Sequence, residues 1–280
     1  MSIAGGPHTA FARGEKSGCT AIQIFTKNQN RWAAKSLDDA EIAKFDTERE
    51  RTGIFCFAHA AYLPNLASPD KALWRKSIEA MKVEMERCDA LGLPYLIFHP
   101  GSHISDTRKN GVERVARSLR ELYDSGNFSV ALTLEITAGQ GTNLGNSFEE
   151  LAEIIRLSGV GGLLKTCYDT CHAFAAGYDI REKGDYENTW REFDEILGID
   201  KLAVIHLNDS KHDLGSRKDR HEHIGKGYIG LDGFRNIMND DRLSNIPMVL
   251  ETPKGLNTRD GSDIDMDKVN LKTLRELVND

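Results

Sequence analysis

The chain has 280 residues, with 36 Lys and Arg against 43 Asp and Glu, and a formal net charge of −7. At 40% hydrophobic and 28% charged residues it reads as a folded globular domain over residues 1–280, which excludes disordered, collagen-like and low-complexity classes. No apolar run approaches the ~20 residues of a membrane span, and Met1–Arg13 lacks a basic-then-apolar leader, so a cytoplasmic protein without a membrane partner is expected.

Seven short apolar runs follow one another along the chain: Ala21–Phe25, Ile54–Phe57, Tyr95–Phe98, Ser129–Leu134, Leu163–Tyr168, Leu202–Leu207 and Pro247–Leu250. Polar alternation within them is weak, which predicts buried parallel strands. Helical periodicity fills the intervals at Lys71–Leu91, Val112–Leu122, Ser147–Leu157 and Thr189–Leu197, and Ser147 with Glu150 fits a capping box. Strands alternating with helices predict an α/β fold with a parallel sheet. Seven βα units approach the eightfold barrel, which takes ~250 residues, and the doubly wound sheet is the rival topology.

The polar residues at the strand ends decide between them. His59, His99, Glu135, Asp169, His206 and Glu251 stand at or just beyond six successive strand ends, each about one βα unit from the last. A barrel gathers all its C-terminal strand ends on one face, where active sites sit, whereas an open sheet spreads them along an edge. Any one of these residues alone is more simply a loop residue, ion-pair partner or helix cap. Six in succession point to a common cation site, because clustered carboxylates are costly without one. Mixed imidazole and carboxylate donors suit zinc, manganese or iron. Asp219 and His221, spaced i and i+2, with His172 form a second candidate set of three. His8, His103, His212 and His223 read as loop or spare residues. Five scattered cysteines argue against a disulfide framework, and Cys167 and Cys171 read as buried small hydrophobes.

Longer stretches carry a resemblance. These are Phe-Thr-Lys-Asn-Gln (25–29), His-Ala-Ala-Tyr-Leu-Pro-Asn-Leu-Ala (59–67), Phe-His-Pro-Gly-Ser-His (98–103) and Leu-Glu-Ile-Thr-Ala-Gly-Gln-Gly-Thr-Asn-Leu-Gly (134–145). Tyr-Asp-Thr-Cys-His-Ala-Phe-Ala-Ala-Gly-Tyr-Asp (168–179), His-Leu-Asn-Asp-Ser-Lys (206–211), Asp-Arg-His-Glu-His-Ile-Gly-Lys-Gly (219–227) and Leu-Glu-Thr-Pro (250–253) extend it. Over almost the whole chain the sequence resembles the endonuclease IV family of apurinic/apyrimidinic endonucleases. The resemblance implies a (β/α)₈ TIM barrel with three zinc ions per chain. By position, His59, His99 and Glu135 look like ligands of the first; Glu135, Asp169, His206 and Glu251 of the second, with Glu135 bridging; and His172, Asp219 and His221 of the third. Glu135, Asp169 and Glu251 are the implied catalytic carboxylates.

Two departures stand out. The family begins with a strand carrying Gly-Ala-His-Val-Ser, whereas only Met1–Ala4 precede Gly5-Gly6 here, so the first barrel strand is expected to be truncated. After Asn28-Gln29 the family has Arg then Gln, and this chain has Asn30 then Arg31.

The implied activity is DNA cleavage on the 5′ side of an abasic site, leaving a 3′-hydroxyl and a 5′-deoxyribose phosphate. The implied substrate is double-stranded DNA with abasic sites or blocked 3′ ends. A monomer without a nucleotide cofactor is expected, in the cytoplasm with the nucleoid, or in a nucleus if the source is eukaryotic. Metal coordination lowers the pKa of water to about 7, which suits phosphodiester hydrolysis. Bound cations at the barrel mouth would also offset the acidic composition. The family inserts side chains from the loop of Asn30 and Arg31 into DNA. Tyr62 and Leu63 are apt wedges beside an abasic gap, and Lys211 and Arg220 belong to a basic loop suited to phosphates. Each of these has a plainer reading as loop packing or solvated charge. Two other functions compete: a sugar isomerase or epimerase using the Glu135, Asp169, His206 and Glu251 tetrad, and a non-catalytic DNA-binding relic.

Overall fold

Runs of four or five apolar residues form the main strands: β1 (Ala21–Phe25), β2 (Phe55–His59), β3 (Tyr95–Phe98), β4 (Ala131–Glu135), β5 (Lys165–Asp169) and β6 (Leu202–His206). A two-residue hairpin, β7 (Asp209–Ser210) with β8 (His221–Glu222), precedes β9 (Met248–Val249). The computed structural model describes residues 1–254, 256–257 and 263–279. Helices α1 (Thr9–Ser17), α2 (Asp39–Thr52), α3 (Lys71–Ala90), α4 (Arg108–Asp124) and α5 (Phe148–Ser158) cover the first half. They are followed by α6 (Thr170–Ala176), α7 (Lys183–Ile196), α8 (Gly230–Met238) and α9 (Met266–Glu276). No helix of the described residues is long and apolar enough to cross a membrane.

The helix starts follow local chemistry. Asp38, Asp70, Thr107, Ser147 and Asp169 each accept from the backbone N–H three residues on, meeting one of the orphan donors of the first turn. At α5 the Ser147 half of the expected capping box forms, whereas the Glu150 carboxylate accepts from the Gly145 backbone instead. Helices α1, α2, α8 and α9 and the short α6 lie outside the segments of clear helical periodicity. The weak apolar periodicity of α2, which buries only Phe45, explains why that helix escaped sequence reading.

The strands pair in parallel in the order β1-β2-β3-β4-β5-β6-β9. β2, β4 and β5 end later than the apolar runs suggest, on His59, Glu135 and Asp169, and β6 ends one residue earlier than its run, on His206; these side chains face the barrel mouth rather than solvent. The expected Pro247–Leu250 strand shrinks to Met248–Val249, and Leu163 belongs to a 3₁₀ turn.

The sheet is a TIM barrel one strand short of eight. The residues ahead of α1 form no strand; instead the Met1 ammonium donates to the Gln23 carbonyl on β1. β1 and β9 approach each other without a hydrogen-bond ladder. A cavity of about 1300 Å³ follows this seam between Met1–Ile3, β1 and β9, and its lining reaches Tyr62, His221 and Glu251.

Loops after β2 and β3 are locked together by Asn65. Its Oδ1 accepts from Ser102 N (2.9 Å) and Ala67 N (3.1 Å), and its Nδ2 donates to Ser102 O (2.9 Å). Gly101 sits against this amide with φ of 107°, where an added Cβ would stand 2.3 Å from Asn65 Oδ1. Both the dihedral and the contact demand glycine. Gly101→Ala is therefore expected to destabilise the fold by about 1–3 kcal/mol in urea unfolding. An unchanged unfolding midpoint would show that the two loops are not rigidly joined.

Candidate metal centre

Strand-end geometry brings the sequence-singled residues into one cluster. The fully buried Glu135 lies at its middle. On one side, His59 Nε2 and His99 Nε2 each stand 3.1 Å from Glu135 Oε2. On the other, His206 Nδ1 is 3.0 Å from Glu135 Oε1, 3.6 Å from Asp169 Oδ2 and 3.4 Å from Glu251 Oε2. His172 Nε2 and His221 Nε2 lie 3.2 and 3.4 Å from Asp219 Oδ1, and 3.3 Å from each other. Potential donor atoms within 4.8 Å of one another group as His59, His99 and Glu135; as Glu135, Asp169, His206 and Glu251; and as Asp169, His172 and His221. Asp219 joins the last group through the two distances above.

The ring nitrogens test whether these groups fit cations. His59 Nδ1 donates to Ala60 O (2.7 Å), His172 Nδ1 to Ile136 O (3.0 Å) and His221 Nδ1 to Glu251 O (3.3 Å). A carbonyl oxygen can only accept, so each of these imidazoles keeps the proton on its outer nitrogen. The inner nitrogens are then the ones that would offer lone pairs to a cation on losing a proton, as metal-binding histidines do. Two lone pairs facing each other at 3.3 Å, as on His172 and His221, repel unless a proton or cation sits between them. The donor set fits metal ions.

Electrostatics agrees. Burial pushes the Glu135 carboxyl up, but His206, His99 and His172 more than reverse it and hold it well below the usual carboxylate range. Burial likewise lowers His59, His172 and His206, and the facing acidic groups more than reverse it, raising all three. Protons therefore neutralise the cluster until cations replace them. Cys167 also lies within reach of Glu135 and His206. Burial pushes its thiol up to about 12, so it stays protonated and packs as the small hydrophobe expected.

Comparison with known proteins assigns the family. A family model described as a xylose isomerase-like TIM barrel matches residues 11–270. The probable endonuclease 4 of Geobacter sulfurreducens is 46% identical over 280 residues, covering 99% of this chain and 93% of that protein. The crystal structure of endonuclease IV from Thermus thermophilus superposes with a TM-score of 0.83 at 35% identity, covering 99% of this chain and 96% of that one.

The chain belongs to the endonuclease IV family.

A D-psicose 3-epimerase from Clostridium cellulolyticum shares the barrel with a TM-score of 0.66 over 98% of this chain and 94% of that one; at 17% identity this shows the fold alone.

The residues singled out for DNA contact lie around the cluster. Tyr62 is 58% exposed, with its ring 5.4 Å from that of His59 and 6.0 Å from that of His99. Leu63 is half-buried beside it. Asn30, Arg31, Lys211 and Arg220 are exposed; Lys211 pairs with Glu222 at 3.9 Å, and Arg220 donates to the Asp219 carbonyl. His8, His103, His212 and His223 join none of the donor groups among the described residues.

Four supporting residues escape the sequence reading. Asn208 Nδ2 donates to Asp169 Oδ2 (2.6 Å) while its Oδ1 accepts from Glu251 N (2.8 Å). Buried Lys27 pairs with buried Glu84 (3.6 Å) and donates to Arg31 O (2.7 Å), while Glu84 Oε1 accepts from Ala61 N (3.0 Å). That pair couples the Arg31 loop to the Tyr62 loop. Gln23, the one polar residue of β1, reaches across the seam: its Oε1 accepts from His206 Nε2 (2.8 Å) and its Nε2 donates to Glu251 Oε1 (2.6 Å). Its signal was available as a polar residue in an otherwise apolar strand.

Because the raised imidazoles hold protons that a metal must displace, zinc uptake by chelator-stripped protein is expected to release protons. Its affinity should weaken as pH falls from about 8 to 6. Calorimetry in buffers of different ionisation enthalpy measures the release directly; binding without it would show that the histidines are not the donors.

Proposed function

We propose that this protein is a DNA-repair hydrolase that cuts the phosphodiester 5′ to an abasic site, leaving a 3′-hydroxyl and a 5′-deoxyribose phosphate. It also clears blocked 3′ ends. The observation that carries this reading is the His172, Asp219 and His221 group set beside the four-residue tetrad, in a chain 99% of which matches an endonuclease 4 relative. A sugar isomerase or epimerase needs only the tetrad. A degenerate DNA-binding relic would have no reason to keep all nine donors converged. The protein acts as a monomer on duplex DNA in the cytoplasm.

Three zinc ions would be held by His59, His99 and Glu135; by Glu135, Asp169, His206 and Glu251; and by His172, Asp219 and His221. Bound there, zinc supplies an acidified water at neutral pH and positive charge for the phosphate oxygens and the leaving 3′-oxygen. The chain's own residues do the rest. Glu135 offers one carboxylate oxygen to each side of the cluster and so fixes the separation of the groups flanking it. Asn208 and the backbone carbonyls hold Asp169 and the imidazoles in one orientation, so that little rearranges during the reaction. Tyr62 and Leu63 occupy the space left by the missing base, and an abasic nucleotide is cheap to extrude because it has no stacking to lose. Arg31, Lys211 and Arg220 hold backbone phosphates, so that binding tracks DNA shape and charge.

Elemental analysis of the purified protein is expected to find about three zinc ions per chain, since nine donors with one shared fill three sites of three or four each. A single ion, or magnesium alone, would overturn the three-zinc reading. The purified protein should nick an abasic duplex and leave ketose sugars unchanged; the reverse would favour the isomerase. Glu135→Gln keeps the size but loses the charge that would serve cations on both sides of Glu135. Incision should fall by roughly three orders of magnitude or more, while binding to the abasic duplex persists through the loops. Near-normal cutting by this variant with unaltered zinc content would remove Glu135 from the mechanism.

A further inference from the structure

The outer nitrogens of the clustered histidines have one exception to their pattern. His59, His172 and His221 are fixed by backbone carbonyls. His206 is held by a side chain instead: Nδ1 faces Glu135, Asp169 and Glu251, while Nε2 meets the side chain of Gln23. The amide orientation follows from its neighbours. An ionised Glu251 can only accept, so the Gln23 NH₂ must face it, and the Gln23 oxygen must then face His206. That oxygen can only accept, which places the proton on His206 Nε2 and leaves the Nδ1 lone pair for the cluster.

The same amide also sorts the oxygens of Glu251. Oε1 is taken by Gln23 at 2.6 Å, and Oε2 is left 3.4 Å from His206 Nδ1. Glu251 follows β9 and Gln23 lies on β1, the two edges between which no ladder runs. Every other donor-bearing strand of the cluster is paired to its neighbours on both sides. At this seam a side chain does what backbone hydrogen bonds do elsewhere.

We propose that Gln23 is a positioning residue for the metal centre, setting the His206 tautomer and the Glu251 carboxylate together and thereby fixing the shape of the Glu135, Asp169, His206 and Glu251 site. This rests on the reading of His206 and Glu251 as zinc donors. Its effect is confined to one of the three sites, because Gln23 touches neither the His59 and His99 group nor the His172 and Asp219 group.

The test is Gln23→Met, which keeps length and flexibility but can neither accept from His206 nor donate to Glu251. Zinc affinity is read by chelator competition, alongside kcat and KM on an abasic duplex. One zinc of the three should bind roughly 10–100-fold more weakly, the loss usual when a partner behind a metal ligand is removed. The other two should be unchanged, and kcat should fall with KM unaltered. Melting of the chelator-stripped variant serves as the fold control, with Gln23→Leu as the second variant should Met disturb folding. If the wild type holds zinc and both variants hold it with the same affinity, Gln23 has no positioning role. If KM and melting shift while zinc affinity does not, Gln23 merely joins the seam and the inference also fails. A wild-type protein that takes up no zinc would instead overturn the metal reading itself.

Discussion

One buried carboxylate organises the mouth of this barrel. Glu135 has no solvent exposure, and both its oxygens lie within 3.2 Å of imidazoles carried by β2, β6, α6 and the residue after β3. Removing an ionised carboxylate from water costs several kcal/mol unless positive charge surrounds it. Protons on the histidines or cations between them meet that requirement, and both demand the same convergence of side chains. The rest of the site follows: Asp169, Glu251 and Asp219 add negative charge that would be unsupportable without cations, and His59, His172, His206 and His221 are each held by a fixed partner.

The barrel makes this convergence possible because parallel strands all deliver their C-terminal ends to one face. β2, β4, β5 and β6 end on the donor itself, and His99 follows β3 by one residue. Asp169 shows how tightly strand, helix and site are joined. It ends β5, caps α6 by accepting from His172 N at 2.8 Å, and faces His206 and His221. Helix α6 in turn presents His172 to the third group. A small error at this one residue would move two groups at once.

Sharing a fold with sugar epimerases says little about what the chain does, since one barrel hosts many chemistries. The distinction lies in what surrounds the tetrad of Glu135, Asp169, His206 and Glu251. Here the additions come from loops: the hairpin β7–β8 brings His221 beside His172 and Asp219, and the β2 loop sets Tyr62 over His59. These loops are held by polar links, with Asn65 joining the β2 and β3 loops and the Lys27–Glu84 pair joining the β1 and β2 loops. A buried ion pair adds little net stability over an apolar pair, but it resists any geometry in which its partners separate.

Much of this was legible in the sequence because it is written locally. Apolar runs mark strands, and a donor at the end of each run marks the barrel face, so the nine candidate donors could be named from spacing and resemblance alone. Ser147 and the buried Cys167 and Cys171 were legible for the same reason: a cap or a small apolar residue is recognised by its immediate neighbours. What the sequence could not disclose depends on chain closure. Gln23 meets Glu251 across 228 positions, Lys27 meets Glu84, and Asn208 bridges Asp169 to Glu251; no local period relates such pairs. Which nitrogen of His172, His206 and His221 is held from behind was equally hidden, because the Ile136 carbonyl, the Gln23 amide and the Glu251 carbonyl, each distant in the chain, decide it. The seam between β1 and β9 belongs to this second class. An apolar run announces a strand, but only the folded chain determines whether the strand on its far side is there to pair with it.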